Sequence, residues 1–206
     1  MITLEVALGQ TKIFRRPVMG FLHALVFWGF CVILIGSIEI VIDGLTGLER
    51  SLSFLGVLYN LIMATGDIFA LIIALAILVF LSRRIFLHVK RFEGIEMKKS
   101  THIDANIALT MILLLMLSLL GMNIAYAGHQ NAVSENIEGA FPVSSVLAGI
   151  IFTNASADSL HVLHEIFWWS HILLIFIFAN MLPYSKHFHV FLSVPNVFLS
   201  RLDPLG

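Results

Sequence analysis

Four long apolar runs, at about residues 17–42, 54–81, 105–127 and 159–182, leave this chain few ways to fold. Each exceeds the ~20 residues that carry an α-helix across a bilayer core of ~30 Å. Inside lipid the protein itself has to satisfy every backbone N–H and C=O, which a helix does within each segment. Runs that stay apolar at successive positions, without alternation, select the helix. Composition agrees: 59% of the residues are hydrophobic and 12% charged, and the mean hydropathy of +0.96 lies far outside the range of soluble domains. The expected fold is all-α, a transmembrane four-helix bundle forming one domain over residues 1–206, multi-pass in the cytoplasmic (inner) membrane. Its surroundings are the lipid bilayer, and no nucleic-acid partner is expected.

Eleven of the twelve basic residues fall on one side of these spans. Lys12, Arg15 and Arg16 precede the first; Arg83, Arg84, Lys90, Arg91, Lys98 and Lys99 fill the connection after the second; Lys186 and Arg201 follow the fourth. Arg50 alone lies opposite, among Asp43, Glu49, Glu135, Glu138 and Asp158. Because cytoplasmic loops carry the excess of Lys and Arg, both termini are expected in the cytoplasm. The first span follows Arg-Arg-Pro and has no small-residue cleavage site after it, so it reads as a retained helix. Pro17 suits that helix's first turn, where a missing N–H has no intrahelical partner.

The longest external stretch, residues 128–158, contains an apolar run from Phe141 to Thr153 that is too short to cross. A short interfacial or re-entrant helix over the outer end of the bundle is the expected use. The fourth span then starts with Asp158 or Ser159 as its cap. Cys31 is the single cysteine, so these residues provide no disulfide, no iron–sulfur cluster of their own and no quinone-coupled disulfide chemistry.

Histidines carry the functional signal. A histidine within a bilayer is costly and by default faces the bundle interior or a partner. At ~100° per residue His164, His171 and His189 fall within about 20° of one helical stripe, provided the helix continues past Pro183. His23 lies in the cytoplasmic half of the first span and His189 at the cytoplasmic end of the fourth, so depth pairs them. Two imidazoles from facing helices are what a haem iron takes as axial ligands, and a four-helix bundle supplies that geometry. The alternative is a packing histidine at His23 and a solvated one at His189. His171, beside Trp168 and Trp169, is mid-membrane, as a ligand or an interhelical hydrogen bond. His161 and His164 lie nearer the outer surface. His129, at the outer end of the third span, is an outer-haem ligand, a quinone contact or a loop residue. His88, His102 and His187 read as solvated. Among the acids, Asp67, Glu39 and Glu165 must pair, protonate or line a wet cavity. Glu165 and Glu39 are candidates for carrying protons to or from a quinone. Asp67 either does the same or bonds across helices.

The segment His171 to Pro195, HILLIFIFANMLPYSKHFHVFLSVP, resembles the last helix of the respiratory nitrate reductase gamma subunit, a membrane cytochrome b. In that family a helix histidine is followed 18 residues later by a second, within an ending matched here by Pro183, Tyr184, Ser185, Lys186, His189, Ser193, Val194 and Pro195. Arg83 to Phe86 with Lys90-Arg91, then Asp104 ahead of a span ending in Leu120-Gly121, is similar to the family's middle loop and third core helix. The resemblance implies that His23 and His189 ligate a cytoplasm-side haem b and that His171 is one ligand of an outer haem. One departure matters. Where the family has a second histidine on its first core helix this chain has Ile33, so the outer haem takes its other ligand from elsewhere, with His129 or His164 as candidates, or is absent.

The pattern is also similar to the cytochrome b part of heterodisulfide-reductase-like membrane iron–sulfur oxidoreductases, where a cytoplasmic iron–sulfur domain follows. The expected function is a haem b membrane subunit, with one or two haems, passing electrons between the quinone pool and a cytoplasmic iron–sulfur oxidoreductase subunit or fused domain. Glu165 and Asp67 are its candidate catalytic acids; His23, His189, His171, His129 and His164 are its candidate cofactor residues, the first three as metal ligands. The rival is a transporter of protons or a divalent metal, lined by His164, His171, Glu165 and Asp67.

Overall fold

A computed structural model of the chain describes residues 17–86, 99–185 and 188–199. Its helices are α1 (Pro17–Thr46), α2 (Val57–Phe86), α3 (Lys99–Val133), α4 (Pro142–Ile151), α5 (Ala157–Met181) and α6 (His189–Phe198), with tight 3-10 turns at Ser53–Leu55 and Leu182–Tyr184. No strand occurs among the described residues. Four of the helices are long and apolar enough to cross a membrane. They outrun the apolar runs because the end of hydrophobicity is not the end of helicity. Arg83 and Arg84, for example, lie in the last turn of α2, where the helix dipole favours cations.

The packing order is α1 on α2, α2 on α3 and α3 on α5, with α4 laid against α2 and α3. Ala70, Ile73, Ala74 and Ile77 form one face of α2 and meet Leu115, Met116, Leu119 and Leu120 of α3 in the core. Small residues let the helices approach where lipid supplies no hydrophobic drive. A Cβ on Gly29 would lie 2.7 Å from Ile73, and one on Gly121 would lie 2.7 Å from the ring of Phe167. The remaining seam, between α1 and α5, is open along most of its length and closes near the C-terminal end of α1, where Gly44 faces Trp168. Only 6% of the most apolar window of α5 is buried, against 44% for α3. The seam is therefore the side of the bundle accessible to a ligand.

Three sequence expectations change. The fourth span is capped by Ser156, whose hydroxyl accepts the Ser159 N–H at 3.3 Å, two or three residues earlier than Asp158 or Ser159 would act. The helix does not pass Pro183: α5 stops at Met181, Pro183 sits in the following 3-10 turn, and His189 opens a separate helix. The missing N–H and the ring's clash with the preceding turn account for the break. His189 consequently leaves the stripe shared by His164 and His171. His88, His187, Lys186 and most of the basic residues ahead of α1, between α2 and α3 and after Phe198 lie outside the described residues, and Lys99 and His102 enter only as backbone of α3.

Candidate functional site

The break after Pro183 turns the chain back toward α1, and His189 meets His23. Their ring centroids are 6.2 Å apart with planes tilted by 40°. Two turns further along α1, Phe30 and Phe191 meet edge-to-face at 6.2 Å. α6 therefore contacts α1 through two aromatic pairs, with both imidazoles exposed at the open seam.

His171 has the opposite environment, 1% exposed within the α3–α5 interface. Its Nδ1 lies 2.8 Å from the Ser118 hydroxyl, which donates its one proton to the Leu115 carbonyl at 3.0 Å. Ser118 Oγ must then accept from Nδ1–H, which leaves Nε2 with its lone pair. That nitrogen has no hydrogen-bond partner. A neutral imidazole fixed through Nδ1 and unpartnered at Nε2 is the form in which histidine ligates a metal.

At the end of the bundle that holds the α1–α2 connection, expected to face outward, α1, α2, α3 and α5 line a half-open cavity of about 950 Å³. Its inner wall is apolar, with Ile33, Leu119 and Met122, and is widened by two glycines. A Cβ on Gly66 would meet nothing within 4 Å, and one on Gly36 would meet only Met63, at 3.7 Å. Its outer wall carries Glu39, Arg50, Tyr126, His129, His161, His164 and Glu165. Ile33 thus lies in the cavity wall.

The connection from α1 to α2 is held over this cavity by two α1 carboxylates. Asp43 accepts the backbone N–H groups of Arg50 and Ser51 at 2.9 and 3.0 Å, together with the Ser51 hydroxyl. Glu39 accepts the N–H of Leu52 at 2.9 Å. Arg50 takes up φ 54°, and its guanidinium donates to the Tyr59 hydroxyl at 3.1 Å while lying 3.9 Å over the ring of Tyr126. Burial alone would lower its pKa, but Tyr59 and Tyr126 beside it hold the pKa above the ordinary arginine value. Sequence reasoning used Arg50 only for orientation. The available signal was its being the one basic residue on the outer side.

Asp67 is fully buried and fully engaged. Oδ2 accepts the N–H groups of Val143 and Ser144 at 2.8 and 2.9 Å, and Oδ1 accepts the Ser144 hydroxyl and, at 3.4 Å, the Asn123 amide. Phe141, preceding α4, contributes no side-chain cap, so a carboxylate from α2 satisfies the orphan N–H groups of that helix start. These bonds run across helices, one of the two uses open to Asp67 in the sequence. Glu39 likewise spends one oxygen on the loop.

The remaining histidines lie around the cavity. The His129 ring lies 5.6 Å from that of His161. His171 is bonded to Ser118, which is 11 residues before His129 on α3, or ~16 Å along the axis, so His129 and His171 lie at different depths. His164 approaches Glu165, Nδ1 to Oε1 3.8 Å, and its ring is 6.0 Å from that of Tyr126. Among the described residues no three or more His, Cys, Asp or Glu side chains are grouped to hold a metal ion.

Fold and site together define an all-helical membrane bundle with a histidine pair at one end of an open seam and a polar cavity at the other. The chain is 31% identical over 202 residues to the probable iron-sulfur-binding oxidoreductase FadF of Bacillus subtilis (strain 168), covering 96% of the chain and 26% of that protein. It is 23% identical over 201 residues to the EtfAB:quinone oxidoreductase of Syntrophomonas wolfei subsp. wolfei (strain DSM 2245B / Goettingen), covering 95% of the chain and 27% of that protein. The chain thus spans about a quarter of the length of these curated relatives. No protein-family model matches it, and no solved structure does. A helical membrane bundle with oxidoreductase relatives fits a role in electron transfer.

Proposed function

We propose that this chain is a haem b membrane domain that carries electrons between a membrane quinone and an iron–sulfur oxidoreductase unit, the latter a partner subunit or a fused domain. The observation that carries the reading is the facing of His23 and His189. Two imidazoles bound to one metal at roughly 2 Å per bond, each with its ring centre about 1 Å behind the nitrogen, stand roughly 6 Å apart, and theirs are 6.2 Å apart. His171, with its unpartnered Nε2 held in the α3–α5 interface, fits a ligand of a second haem. Haem, when bound, supplies one-electron transfer at a potential tuned by its ligands and burial.

The chain's own residues divide the remaining work. His23 and His189 hold the cytoplasm-side group through ring nitrogens, and the Phe30–Phe191 contact keeps α6 against α1 beside them. The outer cavity receives the quinone, whose interconversion with quinol exchanges two protons along with two electrons. His164 and Glu165 sit where those protons would be exchanged, with His129 and His161 at the mouth. Asp67 acts as a positioning residue that fixes α4. The positive-inside pattern puts both termini in the cytoplasm and α4 at the outer membrane interface. A relative named as iron-sulfur-binding and one named as a quinone oxidoreductase, each about four times the chain's length, support both ends of the route. The transporter reading uses His164, His171, Glu165 and Asp67; Asp67, His164 and Glu165 do line one cavity, but the Asp67 carboxylate is taken up by the start of α4 and His171 is bonded to Ser118.

A reduced-minus-oxidised visible spectrum with haem quantitation on the purified protein tests the proposal. Soret and alpha bands with one or two haems per chain are expected, and His23→Ala and His189→Ala should each remove the same haem. A haem-replete preparation without those bands refutes it.

A further inference from the structure

We propose that Arg50 is the oxygen-anchoring residue of the outer cavity, donating hydrogen bonds to a carbonyl oxygen of the quinone bound there; the inference rests on the quinone reading above. Among the described residues no carboxylate oxygen lies within 4.0 Å of its guanidinium nitrogens, although Asp43 and Glu39 are close enough to bind the backbone around it. A cation drawn into a membrane protein without a direct ion pair is costly and marks a site that needs it, and Glu39, which feels the Arg50 charge through space, bonds the Leu52 N–H instead. The two carboxylates are instead spent on the loop, and they hold Arg50 in a left-handed backbone conformation, φ 54°, that arginine rarely adopts. The loop is thus built to hold this side chain over the cavity. Of the guanidinium's five N–H donors, Tyr59 takes one and Tyr126 stands within reach of another, which leaves up to three for a ligand.

The surroundings suit a quinone. Tyr126 neighbours both Arg50 and His164 in the cavity wall, its ring 3.9 Å from the guanidinium carbon and 6.0 Å from the imidazole, centre to centre. A fixed donor at one side and a titratable group at the other match the two carbonyls of a quinone ring. The apolar wall at Ile33, with Gly36 and Gly66 leaving width, accepts the ring itself, and the open seam between α1 and α5 gives an apolar tail a way to lipid.

Isothermal titration of the purified haem-containing protein with a short-chain naphthoquinone, and separately with a short-chain benzoquinone, tests this. At least one should bind the wild type saturably, and Arg50→Gln should weaken that binding tenfold or more while haem per chain and the visible spectrum stay unchanged. Arg50→Lys keeps the charge and much of the stem, should give the wild-type size-exclusion profile, and should bind with intermediate affinity. Unchanged affinity in both variants overturns the inference while leaving the quinone reading intact. Loss of one haem per chain in Arg50→Gln also overturns it, since Arg50 would then hold a haem propionate. Failure of the wild type to bind either quinone while its haem bands are present removes the quinone reading, and this inference with it.

Discussion

Ser118 Oγ and His171 Nδ1 lie 2.8 Å apart inside the α3–α5 interface, and that contact decides which nitrogen of a buried imidazole is left available. If Nε2 ligates a haem, Ser118→Ala should leave the fold intact at a cost of about 1 kcal/mol and lower the affinity for that haem about 10- to 100-fold, the usual effect of removing a ligand's orienting partner. Haem titration followed at the Soret band reads this directly. His171→Ala should remove the same haem and spare the one assigned to His23 and His189; an undiminished haem content in His171→Ala would rule out this ligand.

Asp67 is the only side chain that caps the start of α4 among the bonds described there, and it does so from a helix 76 residues earlier. Asp67→Ala would orphan two buried N–H groups and a hydroxyl, so a loss of roughly 2–4 kcal/mol is expected. Asp67→Asn keeps one acceptor oxygen and should lose about half as much. Thermal unfolding in detergent should rank wild type above Asp67→Asn above Asp67→Ala. A proton-carrying role alone would instead make Asp67→Asn as inactive as Asp67→Ala with unfolding unchanged.

Two glycines in apolar helices should respond oppositely to one methyl group. Gly121→Ala places its Cβ 2.7 to 2.8 Å from three atoms of the Phe167 ring, where α3 packs on α5, and overpacking of this kind costs about 1–3 kcal/mol. Gly66→Ala meets nothing within 4 Å and should unfold within a degree or two of wild type, or slightly higher given alanine's helix advantage of up to about 1 kcal/mol. Paired melting curves check both.

The spans were legible because apolar runs of bilayer length have essentially one solution in lipid. Their ends were not, since charge stops the hydrophobic signal but not the helix, as at Arg83 and Arg84. The meeting of His23 with His189 followed from depth and from the likeness of the PYSKHFH ending, whereas the shared stripe depended on a helix that Pro183 breaks. The contacts that shape the outer cavity leave no local trace. Ser118 is one polar residue in an apolar helix, Asp67 acts on residues 76 and 77 positions away, and His129 finds His161 through the α3–α5 packing. Arg50 is the hardest case, because a left-handed backbone at a non-glycine residue is imposed by Asp43 and Glu39 and not by its own sequence.

Ser134 offers a test at the end of α3. It sits just past Val133 with φ 57°, while the N–H of Glu135 reaches the carbonyl of Gln130 at 3.0 Å and its own N–H reaches that of Asn131 at 3.4 Å. This is the helix-ending motif in which glycine is favoured, because a Cβ in the left-handed region costs roughly 1 kcal/mol. Ser134 is exposed and its side chain makes no described hydrogen bond, so Ser134→Gly removes the strain and little else. It should raise the unfolding temperature by a few degrees, corresponding to about 1 kcal/mol for a domain of this size, with haem content and quinone affinity unchanged. A lower melting temperature would mean that the serine hydroxyl stabilises the turn by more than the backbone strain costs.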